Sequence, residues 1–93
     1  MSKRKNPHPG PHLQPRMTNR DEDAFLIWIE DAPLSELLDA IQARRWLRFR
    51  LDGEHLALAR VQLARRLFAE GPITVRGIRY SSSDRATFKG SIV

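Results

Sequence analysis

The sequence predicts a small α+β fold, in which two helices pack on one small mixed sheet in the order β-α-β-α-β-β. Three observations predict it: the hydrophobic period changes from helical to alternating near Trp46, a leucine-rich helical segment ends at Gly71-Pro72, and two short strand patterns follow. A small helical bundle with a C-terminal β-hairpin is the alternative. The chain has 93 residues, which is enough for one domain.

The first twenty residues are predicted to be a flexible basic arm outside this domain. They contain four of the six prolines, five of the sixteen basic residues and no acidic residue. Their few large apolar side chains cannot offset the entropy lost on ordering. The domain is therefore predicted to span residues 21–93. A domain of this size is marginally stable alone, so we expect a homodimer or a subunit of a small assembly.

The first two predicted elements are a strand and a helix. The run AFLIWIE, residues 24–30, is apolar all round, which favours a strand covered on both faces; a short helix beginning near Thr18 competes with it. Asp31 then caps a helix with Pro33 in its first turn. The apolar face of that helix consists of Leu34, Leu37, Leu38 and Ile41.

The next predicted element is a strand, because continuing the helix would bring arginines into its apolar seam. From Trp46 to Leu51 the residues alternate with a period of two. The predicted buried side is Leu47, Phe49 and Leu51, and the predicted exposed side is Trp46, Arg48 and Arg50. Asp52-Gly53 ends the strand, and Asp52 can cap the helix that follows.

That second helix is predicted from about Gly53 to Glu70, with Gly71 as its C-terminal stop and Pro72 beyond. Its predicted apolar side is Leu56, Ala57, Val61, Leu63, Ala64, Leu67 and Phe68, and Gln62, Arg65 and Arg66 are predicted to point away. Arg60 falls inside the apolar arc, where its stem can lie on apolar surface while its charge reaches solvent.

Two strands complete the predicted fold. ITVRGIRY, residues 73–80, contains a glycine, and a bulge at Gly77 would direct Ile73, Val75, Ile78 and Tyr80 inward and Arg76 and Arg79 outward. The SSSD sequence, residues 81–84, predicts a polar turn. ATFKGSIV, residues 86–93, predicts the last strand.

This order of elements over residues 24–93 resembles the topology of Alba-type chromatin proteins and of the C-terminal domain of bacterial translation initiation factor three. The resemblance places LRFRLDGEHLALARVQLARRLF at their second strand and second helix, and ITVRGIRYSSSDRATFKG at a basic hairpin arm. It implies a small, dimeric protein that binds DNA or RNA. The sequence departs from Alba-type proteins at Glu30 and Asp31, where they carry lysines.

Charge is distributed unevenly along the chain, although the net charge is only +5. Residues 1–20 carry +5, residues 21–43 carry −7, residues 44–66 carry +5 and residues 67–93 carry +2. A bipolar protein of this kind can present its basic side to an anionic polymer. The alternative interpretation is that the arginines pair with the acids of residues 21–39 or form a solvated surface.

The basic residues and one aromatic residue form the predicted nucleic-acid-binding set. Guanidinium groups grip phosphates through two hydrogen bonds, and an exposed indole can stack on a base. The predicted set is Lys3, Arg4, Lys5, Arg44, Arg45, Trp46, Arg48, Arg50, Arg65, Arg66, Arg76, Arg79, Arg85 and Lys89. Trp46 could instead pack under another element or in a dimer interface.

A second cluster, Asp52-Gly53-Glu54-His55, has the residue types of a metal or general-base site. Capping of a helix N-terminus selects the same residues, and the other histidines, His8 and His12, lie in the predicted arm. We therefore expect no metal, no cofactor, no small-molecule substrate and no catalytic role.

The predicted function is that of a small nucleic-acid-binding protein, for DNA or RNA, acting mainly through phosphate contacts. The alternative is a protein-interaction module, such as a subunit of a phage, secretion or antitoxin assembly. The longest apolar run, Ala24 to Ile29, is too short for a membrane span or a signal-peptide core, so a cytoplasmic protein without membrane association is expected.

Overall fold

The computed structural model describes residues 16–93 as three helices and two small antiparallel sheets. The elements are α1 (Asn19–Asp31), α2 (Leu34–Ala43), β1 (Arg45–Trp46), β2 (Phe49–Arg50), α3 (Gly53–Glu70), β3 (Ile73–Val75), β4 (Ile78–Ser81) and β5 (Lys89–Ile92). The α+β class is confirmed. The order β-α-β-α-β-β and the mixed sheet are wrong, because the observed order is α-α-β-β-α-β-β-β and both sheets are antiparallel.

The predicted first strand is the helix α1, so the competing prediction of a helix from Thr18 is the correct one. Thr18 caps α1 through a capping box: its hydroxyl accepts a hydrogen bond from the Asp21 amide (3.2 Å), and its own amide donates to the Asp21 carboxylate (2.9 Å). Phe25 and Ile29, four residues apart, face the core. The predicted arm boundary at residue 20 lies within the first turn of α1.

The helix α2 buries the predicted apolar face, Leu34, Leu37, Leu38 and Ile41. Its N-cap is Pro33, so the predicted cap at Asp31 is wrong; Asp31 is the last residue of α1. The helix ends where Arg44 adopts a left-handed conformation (φ 54°), and the Arg44 amide donates back to carbonyls of the last turn.

The predicted strand over Trp46–Leu51 is instead a tight hairpin, in which β1 pairs with β2. Trp46 lies opposite Phe49, and both side chains are buried, whereas Leu47 in the turn is 62% exposed. The predicted exposure of Trp46 and burial of Leu47 are therefore wrong. The two-residue turn Leu47-Arg48, between Trp46 and Phe49, reverses the chain, so the alternation cannot run through it.

The helix α3 has the predicted bounds and ends at Gly71, whose φ is 102°. Asp52 is its N-cap, although the Asp52 side chain makes no capping hydrogen bond. The predicted apolar side is divided. Leu63, Ala64 and Leu67 are buried together with Ala59, whereas Ala57, Val61 and Phe68 are exposed.

The second sheet is the three-stranded β3-β4-β5 sheet. β3 and β4 join through a two-residue turn at Arg76 and Gly77 (φ 51° and 80°), not through a bulge. The predicted inward direction still holds, because Ile73 lies opposite the buried Tyr80 and Val75 lies opposite Ile78. The last strand begins at Lys89, later than predicted, because residues 82–87 form a turn.

The core lies between the helices and the two sheets, and an aromatic cluster forms one end of it. The Phe25 ring lies 5.3 Å from the Trp46 ring and 6.5 Å from the Trp28 ring. At the other end, Tyr80 packs on the core and its hydroxyl accepts a hydrogen bond from Gln42 of α2 (3.0 Å). Of the helices in residues 16–93, none is long and apolar enough to cross a membrane.

Candidate nucleic-acid interface

The predicted nucleic-acid-binding residues fall into three groups: residues outside the described part of the chain, residues held by contacts within the fold, and basic residues without an acidic partner. Lys3, Arg4 and Lys5 lie outside residues 16–93, as do His8 and His12. The structure brings only part of the remaining set to a common surface.

Trp46 belongs to the core. It is 7% exposed, and its ring lies 5.9 Å from Trp28 and 6.0 Å from Phe49 in addition to its edge contact with Phe25. A base cannot stack on an indole that is enclosed in this way. The structure therefore removes Trp46 from the predicted binding set, and its alternative role in packing is the one observed.

Arg66 is also held within the fold, although it was predicted to point away. Its side chain is 13% exposed and donates from Nη1 to the carbonyl oxygens of Ile29 and Ala32, at the C-terminal end of α1. Its Nε donates to Glu70, one turn along α3 (3.1 Å). Arg66 thereby satisfies carbonyls that the end of α1 leaves without a helical partner.

The arginines in the two hairpin turns, Arg76 and Arg48, are paired with acids of residues 21–39, as the alternative interpretation of the charges expects. Arg76 Nη2 donates to Asp39 (2.7 Å), and this carboxylate raises the pKa of Arg76 above its ordinary value. Arg48 lies 3.6 Å from Asp21 and over the ring of Phe49 (4.6 Å). The pKa of Asp21 is lowered first by hydrogen bonds from Thr18 and further by Arg48.

Three arginines remain at the base of the β1–β2 hairpin, and we call them the hairpin arginines: Arg44, Arg45 and Arg50. All three are exposed, and none of them forms an ion pair with any residue of the described part, 16–93. Arg45 and Arg50 lie directly opposite each other in the β1–β2 register. Like charges in that position repel each other.

The backbone fixes where these arginines project. The Leu51 amide donates to the Arg44 carbonyl (2.9 Å), which closes the base of the hairpin. Arg44 and Arg50 line one open depression, together with Ala43, Leu51 and Asp52. Arg45 Nε donates to the Leu47 carbonyl in the turn (3.0 Å), which orients its guanidinium toward the hairpin tip.

The outward face of the second sheet is the other basic surface. Arg79 lies in the central strand, with Thr74 opposite it on one side and Ser91 opposite it on the other. Lys89 lies opposite Ser81 on the same face. Hydroxyl and guanidinium groups together are typical phosphate ligands. Sequence reasoning missed Thr74 and Ser91, which only the strand register places beside Arg79.

The last two predicted arginines lie near α3. Arg85 covers the ring of Phe68, with its guanidinium carbon 4.6 Å from the ring centre. Arg65 is exposed on α3 and has no ion-pair partner within residues 16–93. Arg60, outside the predicted set, lies over Phe88 in a similar way, at 5.3 Å.

The Asp52-Glu54-His55 cluster does not gather as a metal or general-base site. His55 Nε2 lies 2.8 Å from Glu22, and the His55 ring contacts Phe25 edge-on at 5.5 Å, so the imidazole ties the start of α3 to α1. Within residues 16–93, no group of three His, Cys, Asp or Glu side chains is arranged to hold a metal ion.

The serine turn is closed by its own side chains. Asp84 accepts hydrogen bonds from the amides of Ala86 (2.9 Å) and Thr87 (2.8 Å) and from the Thr87 hydroxyl, and these bonds lower the pKa of Asp84 to about 2. Ser82 donates to the Thr87 carbonyl (2.7 Å). The carboxylate occupies the amides that would otherwise be available to a phosphate.

No known family model, curated protein or solved structure matches this chain significantly, so functional inference rests on its own residues.

Proposed function

We propose that the protein binds nucleic acid, DNA or RNA, through its phosphate backbone. The observation that carries the proposal is the set of hairpin arginines, three exposed guanidinium groups without an acidic partner in residues 16–93. Each guanidinium can donate two parallel hydrogen bonds to one phosphate. Arg79 and Lys89 on the second sheet would extend the contact.

The burial of Trp46 shapes the proposal. With this indole in the core, the hairpin arginines and the outward face of the second sheet offer guanidinium, ammonium and hydroxyl groups, and the exposed ring of Phe68 on α3 is covered by the guanidinium of Arg85. Phosphate contacts position a protein without reading the sequence. We therefore expect binding with little sequence preference and with a strong dependence on salt.

The acidic region supports an oriented encounter with the polymer. Residues 21–43 carry −7, and Asp23, Glu30 and Asp31 of α1 are exposed. A polyanion is repelled by these exposed carboxylates and attracted to the arginines. Lys3, Arg4 and Lys5 would add salt-dependent affinity, and the cytoplasm is the compartment in which we expect this binding.

The Alba-type resemblance adds no support to the proposal. The element order on which it depends differs at two places: AFLIWIE forms α1, and the predicted second strand is the β1–β2 hairpin. The proposal depends instead on the positions of the arginines.

The test measures affinity for a duplex DNA of about 20 base pairs and for an RNA stem-loop between about 50 and 200 mM salt. We expect the double variant Arg44→Ala, Arg50→Ala to bind about tenfold or more weakly at low salt. Its log–log salt slope should fall by about 1.8, because each lost phosphate contact removes about 0.9. A wild-type protein whose binding is absent at 50 mM salt, or independent of salt, would refute the proposal.

The matched control is the double variant Arg48→Ala, Arg76→Ala. It removes the same formal charge, but from arginines that Asp21 and Asp39 already neutralise. We expect its affinity to fall much less. Equal losses in the two double variants would show that net charge, and not the hairpin base, determines binding.

A second candidate function, a protein-interaction module, is favoured by the exposed side of α1. Ile27 is 62% exposed, and it lies one turn from Asp23 on one side and from Glu30 on the other. An apolar side chain between carboxylates fits a basic, partly apolar protein surface. Purification without nuclease distinguishes the candidates: co-purified nucleic acid supports the first, and a co-purified protein released by Ile27→Asp supports the second.

A further inference from the structure

The helix α3 has a second apolar side, which faces away from the core. Leu58, Val61 and Phe68 are 45%, 40% and 45% exposed, although α3 buries Leu63 and Leu67 on its opposite side. A shallow depression on the outer side is lined by Glu54, Ala57, Leu58 and Val61. Apolar side chains grouped on one exposed helix side are typical of an interaction surface.

The spacing of these residues is that of a helix pair. Glu54, Leu58, Val61, Arg65 and Phe68 follow one another at intervals of four, three, four and three residues. This is the spacing of the inward-facing positions of a heptad repeat, which keeps one stripe of side chains against a partner helix. We call these five residues the outer stripe.

We propose that the outer stripe binds the outer stripe of a second copy of this chain, with the two α3 helices antiparallel. A twofold axis passing between Ala59 and Arg60 places Leu58 against Val61 of the partner subunit. The same axis places Glu54 against Arg65 of the partner subunit, and each of these contacts occurs twice. Residues 54 to 65 of the stripe are thus complementary to themselves in sign as well as in apolar character, and Phe68 lies beyond the paired segment.

The charges of Glu54 and Arg65 favour a second copy of this chain as the partner, and they favour the antiparallel orientation. Neither Glu54 nor Arg65 has an ion-pair partner within residues 16–93. A parallel pairing would place Glu54 against Glu54 and Arg65 against Arg65, and like charges across an interface are destabilising. The antiparallel pairing removes both repulsions and puts the apolar pair at its centre.

The apolar contact consists of Leu58 and Val61 from each subunit, which is about one turn of each helix. The dimer is therefore expected to be of the weak class, with dissociation near the micromolar range. The inference does not depend on nucleic-acid binding, because the outer stripe contains none of the hairpin arginines. Arg65 is its one basic residue, and the other four, one carboxylate and three apolar side chains, make it a poor surface for phosphate.

The first test measures the molar mass of the full chain by sedimentation between about 1 and 500 µM, a range that brackets a micromolar dissociation constant. We expect a monomer–dimer equilibrium. Glu54→Arg alone and Arg65→Glu alone should each weaken dimerisation about tenfold or more, and the double variant should restore it to within a few-fold. All three changes are at exposed positions, so a thermal melt should show folded protein in each case.

The second test uses the absence of cysteine from the natural chain. Leu58→Cys and Val61→Cys are made separately and oxidised alone and as a mixture. We expect the mixture to form the disulfide-linked dimer about tenfold faster than either variant alone, because only the mixed pair is brought into contact. Fastest linkage of Leu58→Cys with itself, a wild type that is monomeric throughout the range, or a double variant without restored dimerisation would each overturn the inference.

Discussion

The two hairpins of this protein have turns of the same length that are stabilised in different ways. The β3–β4 turn is Arg76-Gly77, where both residues have positive φ (51° and 80°) and the second is glycine. The β1–β2 turn is Leu47-Arg48, where the residue with positive φ (53°) is a leucine. A branched side chain rarely adopts this conformation, whereas glycine adopts it without cost.

The difference shows that the β1–β2 turn is imposed by the rest of the fold. Trp46 and Phe49, on either side of it, are anchored in the aromatic cluster around Phe25. Their burial holds the turn in a conformation that its own sequence disfavours. The β3–β4 turn has glycine at one of its two positive-φ positions, so that part of its conformation is favoured locally, and Arg76 at the other position is bound by Asp39.

In both hairpins the arginine of the turn is paired with a carboxylate, and Arg48 of the β1–β2 turn lies 3.6 Å from Asp21. Arg76, in the β3–β4 turn, is bound by Asp39 at 2.7 Å. The hairpin arginines at the base of β1–β2 have no such partner in the described part of the chain. Arg79 in β4 also has no ion-pair partner within residues 16–93, so in both hairpins the unpaired arginines lie outside the turns.

The largest expected effect comes from removing the anchor of the first hairpin. Trp46→Ala should lower the free energy of unfolding by about 3–5 kcal/mol, because it leaves a cavity in the aromatic cluster. Urea unfolding measures the loss. In the second hairpin the half-buried Ile78 is the matched position, and Ile78→Ala should cost clearly less. Equal losses at the two positions would contradict the difference in anchoring.

The next effect has opposite signs in the two turns. Gly77→Ala should lower the free energy of unfolding by about 1–2 kcal/mol, because alanine disfavours positive φ. No heavy atom lies within 4 Å of the position that an added Cβ would occupy, so the cost is conformational. Leu47→Gly should instead raise the free energy of unfolding by up to about 1 kcal/mol, because it relieves the leucine.

The control for this pair is Arg48→Gly, in the same turn as Leu47 but at a residue without positive φ. Glycine there raises the conformational entropy of the unfolded chain and removes the contact with Asp21, so Arg48→Gly should lower the free energy of unfolding. A destabilised Leu47→Gly variant would show that the exposed leucine contributes a contact larger than its backbone strain.

The sequence predicts best where local signals and tertiary packing agree. The leucine spacing of α2 and the glycine at the end of α3 are sufficient to predict those helices, and both predictions are confirmed. The capping box at Thr18 and Asp21 was a usable signal for α1, but an apolar run without helical period outweighed it. No residue near Leu47 predicts a turn, because the turn is stabilised by contacts with residues that are distant in the sequence.

The same reason limits prediction of the candidate site. The sequence predicts the residue types of the site and the uneven distribution of charge, because an arginine side chain is almost always in contact with solvent, a carboxylate or a phosphate. The sequence does not predict which arginines have no carboxylate as an ion-pair partner. Asp39 and Arg76, which form a hydrogen bond, are 37 residues apart in the sequence. Arg66 and Ala32, which also form a hydrogen bond, are 34 residues apart.

The smallest expected effect concerns the turn between β4 and β5, which is closed by one carboxylate. Hydrogen bonds lower the pKa of Asp84 from 3.8 to about 2, so the folded chain binds the proton less readily than the unfolded chain. The stabilisation is therefore present above about pH 4 and is lost as the pH falls toward 2. Asp84→Asn should flatten this part of the stability profile.

The measurement follows the backbone amides of Ala86 and Thr87 by NMR between about pH 5 and 1.5, since both donate to Asp84. In the wild type their shifts should change together with a midpoint near pH 2. A midpoint near 4 would mean that the Asp84 bonds do not persist in solution, and that this turn, like the one at Leu47, is held by the residues around it.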